Sequence, residues 1–486
     1  MLAPGNLNNM TRRGDVKRVG RNETIHMAAG NAEDQLIERA LAAARDTKVL
    51  EVRGGVRHDA AKLFAQHFGH AQAIIVADES SYRVAGVDVS NAFAWDLAPG
   101  CPSFVFGPSV YADENHANEL TNVLSSADAI PVAVGSGTIN DLTKLAAHRV
   151  NRPYMVVATA ASMDGYTAYG ASITAQGSKQ TFDCPAPRVV LADLETVAGA
   201  PAGMNASGYA DLIAKVAAGA DWIVADALGV EPIHPEVWAT VQLHLKEWVD
   251  SPAAVTSGDP AVLRRLTNGL MMTGFAMQAH KTSRPASGAD HQFSHLWDMQ
   301  HHTHAGAAPS HGFKVGIGTL ASLALYEELL KHDLAAIDID EAISRWPSLE
   351  QLNAQIGDLL GDGELGMTAL KETTAKYVGR DALREQLHRL REAWPALRQK
   401  LEQQVIPVVR LKQMLHDAGC PYEPEHIGIS ADRLKKSYWQ ALFIRRRFTV
   451  LDLAHRTGLL DAALAKLFGP GGCWARNSAA AEPTTR

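Results

Sequence analysis

Between Gln35 and about Arg188, short apolar runs alternate with amphipathic or turn-rich stretches. KVLEV, AIIVAD, SFVFG, IPVAVG and YMVVAT are rich in β-branched residues and are separated by helical or glycine-bearing segments. Such runs, apolar at nearly every position, predict strands of a mostly parallel sheet covered on both faces, each joined to the next by a crossover. After VVLAD the period changes. In ADLIAKVAAGADWIVADALG, Leu212, Ile213, Val216, Ala220, Ile223 and Val224 recur near every 3.6 residues, as on one face of a helix. The glycines and proline of AGAPAGMNASG predict a boundary near residue 200, with Asp211 in the first turn of the helix that follows. Beyond it long helical periods dominate, with loops at 282–290, 301–313 and 419–430. LREQLHRLREAWPALRQKLEQQ mixes charged and apolar residues as an amphipathic helix does, and alternating signs of charge fit packing within the domain or against a second subunit. FIRRRFTVLDLAHRTGLLDAALAKLFG also reads as helices. The expected organisation is a flexible arm over 1–30, an α/β dinucleotide-binding domain over 31–200, an all-α metal- and substrate-binding domain over 201–476, and a disordered tail over 477–486.

Composition narrows the classes. The chain has 486 residues, 46% hydrophobic and 20% charged, which excludes collagen-like and disulfide-scaffold proteins. Its net charge of −7 argues against a nucleic-acid partner, which calls for a basic surface. Arg445, Arg446 and Arg447 are a local exception that could attract phosphate, although a solvated or ion-paired cluster is the default. Cys101, Cys184, Cys420 and Cys473 are far apart and form no CxxC pair, so free thiols in a reducing compartment are expected. The polar N-terminus lacks the apolar core of a signal peptide, and no run of apolar residues is long enough to span a bilayer. A cytoplasmic protein without membrane insertion is expected.

Two groups of residues carry candidate chemistry. In IPVAVGSGTINDLTKLAAHR a strand runs into Gly135-Ser136-Gly137-Thr138, and a helix follows from about Ile139. Glycines there admit a ligand close to the backbone, and the helix N-terminus offers unpaired N–H groups to a pyrophosphate. The spacing is neither GxGxxG nor a Walker A loop. Asp78, ending AIIVAD, is placed either to accept hydrogen bonds from an adenine ribose, favouring NAD over NADP, or to cap a turn. The second group lies in GYADLIAK, SGADHQFSH and SHGFKVGIGT. His291 and His295 share one helix face, and His311 precedes a glycine where a loop meets a helix. One carboxylate, Asp211, and two neutral imidazoles from separate segments suit a borderline divalent cation such as zinc, nickel or iron(II).

Taken together, GSGTINDLTK, TAASMDGYTAYGA, GYADLIAK, SRPASGADHQFSH and HGFKVGIGT resemble the sn-glycerol-1-phosphate dehydrogenases of the iron-alcohol-dehydrogenase and dehydroquinate-synthase-like superfamily, particularly the longer bacterial members. The resemblance covers about residues 40 to 330, more weakly GISADRLKKSYWQALFIRRRFTVLDL. It implies a dehydroquinate-synthase-like fold with the site between an α/β and a helical domain. It puts Asp211, His291 and His311 on the metal, and Gly135 to Ile139 with Thr159, Ala160 and Ser162 on NAD, or alternatively NADP. It puts Asp164, Asp211 and His295 at substrate, Asp164 and His295 with a catalytic role. The implied reaction interconverts dihydroxyacetone phosphate and sn-glycerol 1-phosphate in a homodimer. Lys215, Lys179 and Arg284 are candidates for the substrate phosphate. Ala168 stands where the family often has serine, and Phe313 where glutamate is common. His304 is a rival to His311. A polyol dehydrogenase, a dehydroquinate-synthase-type cyclase and a non-catalytic dinucleotide-binding module are the alternatives.

Overall fold

The computed structural model describes residues 34–96, 102–175 and 178–475. The arm and the tail expected from the sequence lie outside these residues. Six strands form a parallel sheet: β1 (Val49–Arg53), β2 (Gln72–Asp78), β3 (Ser103–Phe106), β4 (Ala129–Gly135), β5 (Met155–Ala158) and β8 (Val189–Asp193), in the order β1-β8-β5-β4-β2-β3. The period-two geometry of β2 divides its side chains between two cores. Ile74 and Val76 join Leu120, Leu124, Ile139 and Leu142 on one face, whereas Ile75 and Ala77 join Phe64, Val89 and Phe93 on the other. The helices after β2 and those after β3 and β4 therefore cover opposite faces. The reversal falls between β2 and β4, and sheets of this kind bind ligands beyond the carboxyl ends of the strands at such a point.

Strands β6 (Ala171–Ala175) and β7 (Ser178–Phe182) form a separate antiparallel hairpin, which the sequence pattern did not predict. The principal helices are α1 (Gly137–Arg149), α2 (Ala202–Ile213), α3 (Lys215–Ala227), α4 (Pro260–His280), α5 (Ala289–Met299), α6 (His311–Leu330), α7 (Arg380–Gln404), α8 (Ala431–Phe443) and α9 (Val450–Arg456). In α7 the buried residues Leu383, Leu387, Leu390, Trp394, Leu397 and Leu401 make one apolar stripe against the rest of the helical layer.

Two expectations are corrected. Asp211 lies in the last turn of α2, not the first, because the small residues of AGMNASG are themselves helical. Their glycine serves close packing: a Cβ on Gly208 would collide with the carbonyl of Ala161 and lie 3.1 Å from Leu270. The arginine run is not helical either. The chain leaves α8 at Phe443 and re-enters a helix at Val450, where the Asp452 carboxylate accepts the Thr449 N–H at 3.0 Å.

Candidate metal and nucleotide cleft

The strand ends and the helical layer enclose a cleft of about 940 Å³. Its sheet-side wall is the glycine turn. Ser136 precedes α1 without capping it through its side chain, so Ser136, Gly137 and Thr138 present the open helix end to the cleft. Gly135 lets the turn form: a Cβ there would lie 2.6 Å from Ile139, whose side chain fills the core beneath. Ser162 also lines the cleft, whereas Gly135, Ile139, Thr159 and Ala160 lie behind its surface. Asp78 does not line it either. Its carboxylate accepts the N–H groups of Ser80 and Ser81 at 2.8 and 2.9 Å, the capping alternative of the sequence reading.

The opposite wall is built from three helix ends. Asp211 on α2, His291 on α5 and His311 at the start of α6 bring ligand atoms to within 4.8 Å of one another. His291 Nδ1 bonds to the Asp290 carboxylate, which leaves Nε2 directed at Asp211 Oδ1, 3.7 Å away. The buried Nδ1 of His311 has no partner. One fixed imidazole, one unpartnered imidazole and an ionised carboxylate fit a divalent transition metal. Because Asp290 fixes the ring of His291, Asp290→Asn is expected to weaken metal binding about 10–100-fold with the fold retained. Chelator competition measures this, and an unchanged affinity would show that the Asp290 contact does not aim the ring.

The ion pairs around Asp211 account for its charge state. Burial pushes its carboxyl up, but the Lys215 ammonium, then His311 and His291, more than offset this and hold it at about 2. Lys215 Nζ lies 2.7 Å from Asp211 Oδ1 and 2.7 Å from Asp164 Oδ2, and the Asp164 N–H donates to Asp211 Oδ2 at 3.1 Å. Burial and the neighbouring Asp211 raise the Asp164 carboxyl above the usual range. His295 stands one turn from His291, with ring centroids 6.1 Å from His291 and 6.4 Å from His311. Burial, then the charge of Arg445, keeps its imidazole well below the usual range.

Two phosphate candidates are corrected. Lys215 is spent in the buried pair with Asp211 and Asp164. Arg284 is fully buried, donating to the carbonyls of Phe448 and Asp221 at 2.9 Å and pairing with Glu231 at 3.2 Å. Lys179 does line the cleft, and so does the arginine run, which the sequence reading placed on a helix surface. His304 is no rival to His311. Its backbone pairs with Ala307 and its ring packs on Gly428. Ala168 lines the cleft, and its carbonyl accepts from Lys144 at 2.8 Å; Phe313 lines the cleft beside His311.

Comparison with known proteins places these features in a class. Residues 51–201 match the family model of iron-containing alcohol dehydrogenases. The glycerol dehydrogenase of Schizosaccharomyces pombe superposes with a TM-score of 0.54 at 14% identity, over 86% of this chain and 90% of that one. The alcohol dehydrogenase of Oenococcus oeni gives 0.51 at 16%, over 86% and 98%. The glycerol-1-phosphate dehydrogenase [NAD(P)+] of Geobacillus stearothermophilus is 30% identical over 398 residues, 80% of this chain and 87% of that protein. Its counterpart in Halalkalibacterium halodurans is 33% identical over 270 residues, 53% of this chain and 66% of that protein. The chain belongs to the glycerol-1-phosphate dehydrogenase family of the iron-containing alcohol dehydrogenases.

Proposed function

We propose that this protein interconverts dihydroxyacetone phosphate and sn-glycerol 1-phosphate with NAD(H), NADP(H) being the alternative. The observation that carries this reading is the convergence of Asp211, His291 and His311 in a cleft whose facing wall is the open end of α1. The substrate comes from relatives bearing the name glycerol-1-phosphate dehydrogenase [NAD(P)+]. Asp211, His291 and His311 would hold one zinc, nickel or iron(II) ion. Ser136, Gly137, Thr138 and Ser162 would border the dinucleotide, with Gly135, Ile139, Thr159 and Ala160 shaping the turn from behind. When bound, the ion supplies Lewis acidity to the ketone oxygen and the reduced nicotinamide supplies hydride.

The chain's own groups then orient the substrate and move its proton. Lys215 holds the Asp164 carboxylate, which accepts a hydrogen bond from the substrate's free hydroxyl. His295 stays neutral, and its buried Nδ1 has no protein partner, so it passes a proton through water toward the C2 oxygen instead of storing charge. Met163 and Phe313 make that side of the cleft apolar and limit water. A cytoplasmic homodimer completes the reading; among the described residues no helix is long and apolar enough to cross a membrane.

The deciding assay supplies metal-loaded protein with NADH and dihydroxyacetone phosphate and identifies the product enantiomer. sn-Glycerol 1-phosphate is expected. Formation of sn-glycerol 3-phosphate would contradict the proposal, and phosphate release without net NADH consumption would favour a cyclase.

A further inference from the structure

The cleft carries more positive charge than its metal and nucleotide walls require. Of the cations lining it, Lys314 is paired with Asp298, and Arg446 with Glu372 at 2.7 and 2.9 Å. Arg447 donates to the Ser287 carbonyl at 2.9 Å and to Ser283 Oγ at 3.0 Å. Lys281 is exposed at the rim, on a residue with φ 59°. Two cations remain uncommitted. Among the described residues, neither the Lys179 ammonium on β7 nor the Arg445 guanidinium between α8 and α9 has a hydrogen-bond partner, and both side chains are partly buried. The carboxylate whose charge acts on Arg445 is Glu372, and its oxygens are already bonded to Arg446. A guanidinium withdrawn from water without a counter-ion of its own is costly, so its position calls for an anion.

We infer that Lys179 and Arg445 form the anion subsite of the cleft and hold the phosphate of a phosphorylated ketone or polyol, so that they set the preference for phosphorylated over free substrates. The inference rests on the proposed reaction for its substrate, but the subsite is defined by its own geometry. His295 is the shared neighbour. It lines the same cleft as Lys179 and Arg445, and β7, which carries Lys179, packs against α5, which carries His291 and His295. The subsite is therefore beside the Asp211–His291–His311 cluster, on the His295 side. One methylene and one ester oxygen separate the ketone of dihydroxyacetone phosphate from its phosphorus, so a ketone oxygen at the cluster puts the phosphate in this region. The guanidinium offers paired donors to phosphate oxygens, and the lysine adds a point charge from the facing hairpin. Arg445 is anchored on its C-terminal side. The next two residues, Arg446 and Arg447, are tied to Glu372 and to the 283–287 loop, which fixes the backbone that follows it.

The test combines two measurements on metal-loaded protein. Steady-state kinetics compare dihydroxyacetone phosphate with dihydroxyacetone for wild type, Lys179→Met, Arg445→Met and Arg445→Lys. Calorimetry follows inorganic phosphate binding to the same four proteins. The Met variants are expected to raise KM for the phosphorylated ketone about tenfold or more while leaving KM for dihydroxyacetone within about twofold. They are also expected to weaken phosphate binding in parallel, with Arg445→Lys intermediate. Lys179→Met, on a hairpin outside the helical core, keeps the test alive if Arg445→Met fails to fold. An active wild type whose Met variants retain both KM and phosphate affinity overturns the subsite. A wild type inactive on dihydroxyacetone phosphate, but with phosphate binding that depends on Lys179 and Arg445, overturns the proposed reaction and leaves the subsite standing.

Discussion

Asp211→Asn is expected to abolish stoichiometric metal binding and to slow dihydroxyacetone phosphate reduction at least about a thousandfold, while leaving the fold intact. The magnitude follows from what the carboxylate does. It is the sole anionic member of the Asp211–His291–His311 cluster and is held ionised at about 2. An amide in its place offers a neutral oxygen to a dication. Lewis-acid stabilisation of a developing oxyanion is worth several kcal/mol, and each 1.4 kcal/mol is about tenfold in rate. The fold should survive because the amide oxygen of the substituted side chain can still accept the Asp164 N–H, and Asp164 remains as a counter-ion for buried Lys215. Elemental analysis of the purified variant, with circular dichroism beside it, gives the answer. A variant that keeps one equivalent of metal and near-wild-type turnover would mean that the three groups meet for a structural reason only. Acid should act on the same carboxylate. Because its folded-state value lies below the usual one, its ionised form favours the native state above about pH 4, and that contribution fades as pH falls toward 2.

The features legible in the sequence were those in which one physical cause fixes both pattern and structure. The central strands β2, β4, β5 and β8 are buried on both faces at nearly every position, which calls for apolar residues there, and the runs AIIVAD, IPVAVG, YMVVAT and VVLAD mark them. Asp211, His291 and His311 are distant in sequence, and spacing alone could not join them. The family motifs supplied that join, and the geometry then brings their ligand atoms together. The β6–β7 hairpin was missed because its alternation is faint. Ala171, Ile173 and Ala175 face inward between Ser172 and Thr174, a period-two signal carried mostly by small residues. Its loss hid the context of Lys179. The arginine run was misread because arginine is a good helix former, and nothing in FIRRRF itself breaks a helix. The useful signal was downstream, where Thr449 and Asp452 stand at capping-box spacing. Reading that restart would have put Arg445 in a loop between helices. Glycines gave the opposite error: those of AGMNASG were taken for a turn, whereas Gly208 lets α2 lie directly on the Ala161 backbone.

That second use of glycine leads to the other large effect, at Gly312. Helix α6 meets α2 there so closely that an added Cβ would collide with the Ser207 carbonyl oxygen and sit 2.6 Å from its carbon and 2.7 Å from its Oγ. These atoms belong to the neighbouring helix, largely its backbone, so no rotamer change relieves the clash; the helices must part. The Gly312 N–H also donates to Ser207 Oγ at 3.2 Å, a bond that separation would break. Gly312→Ala is therefore expected to destabilise the protein by about 1–3 kcal/mol or more, the usual cost of overpacking. Metal affinity should fall with it, since His311 is the adjacent residue and α6 carries it toward Asp211 on α2. Gly357, inside the helix Leu349–Leu360 with nothing within 4 Å of an added Cβ, supplies the contrast. Gly357→Ala should be neutral or stabilising by up to about 1 kcal/mol, because alanine loses less backbone entropy in a helix. Denaturant melts of the two variants separate close packing from helix propensity. Equal behaviour of the two would show that α2 and α6 have room to spare, and the metal cluster would then not depend on their contact.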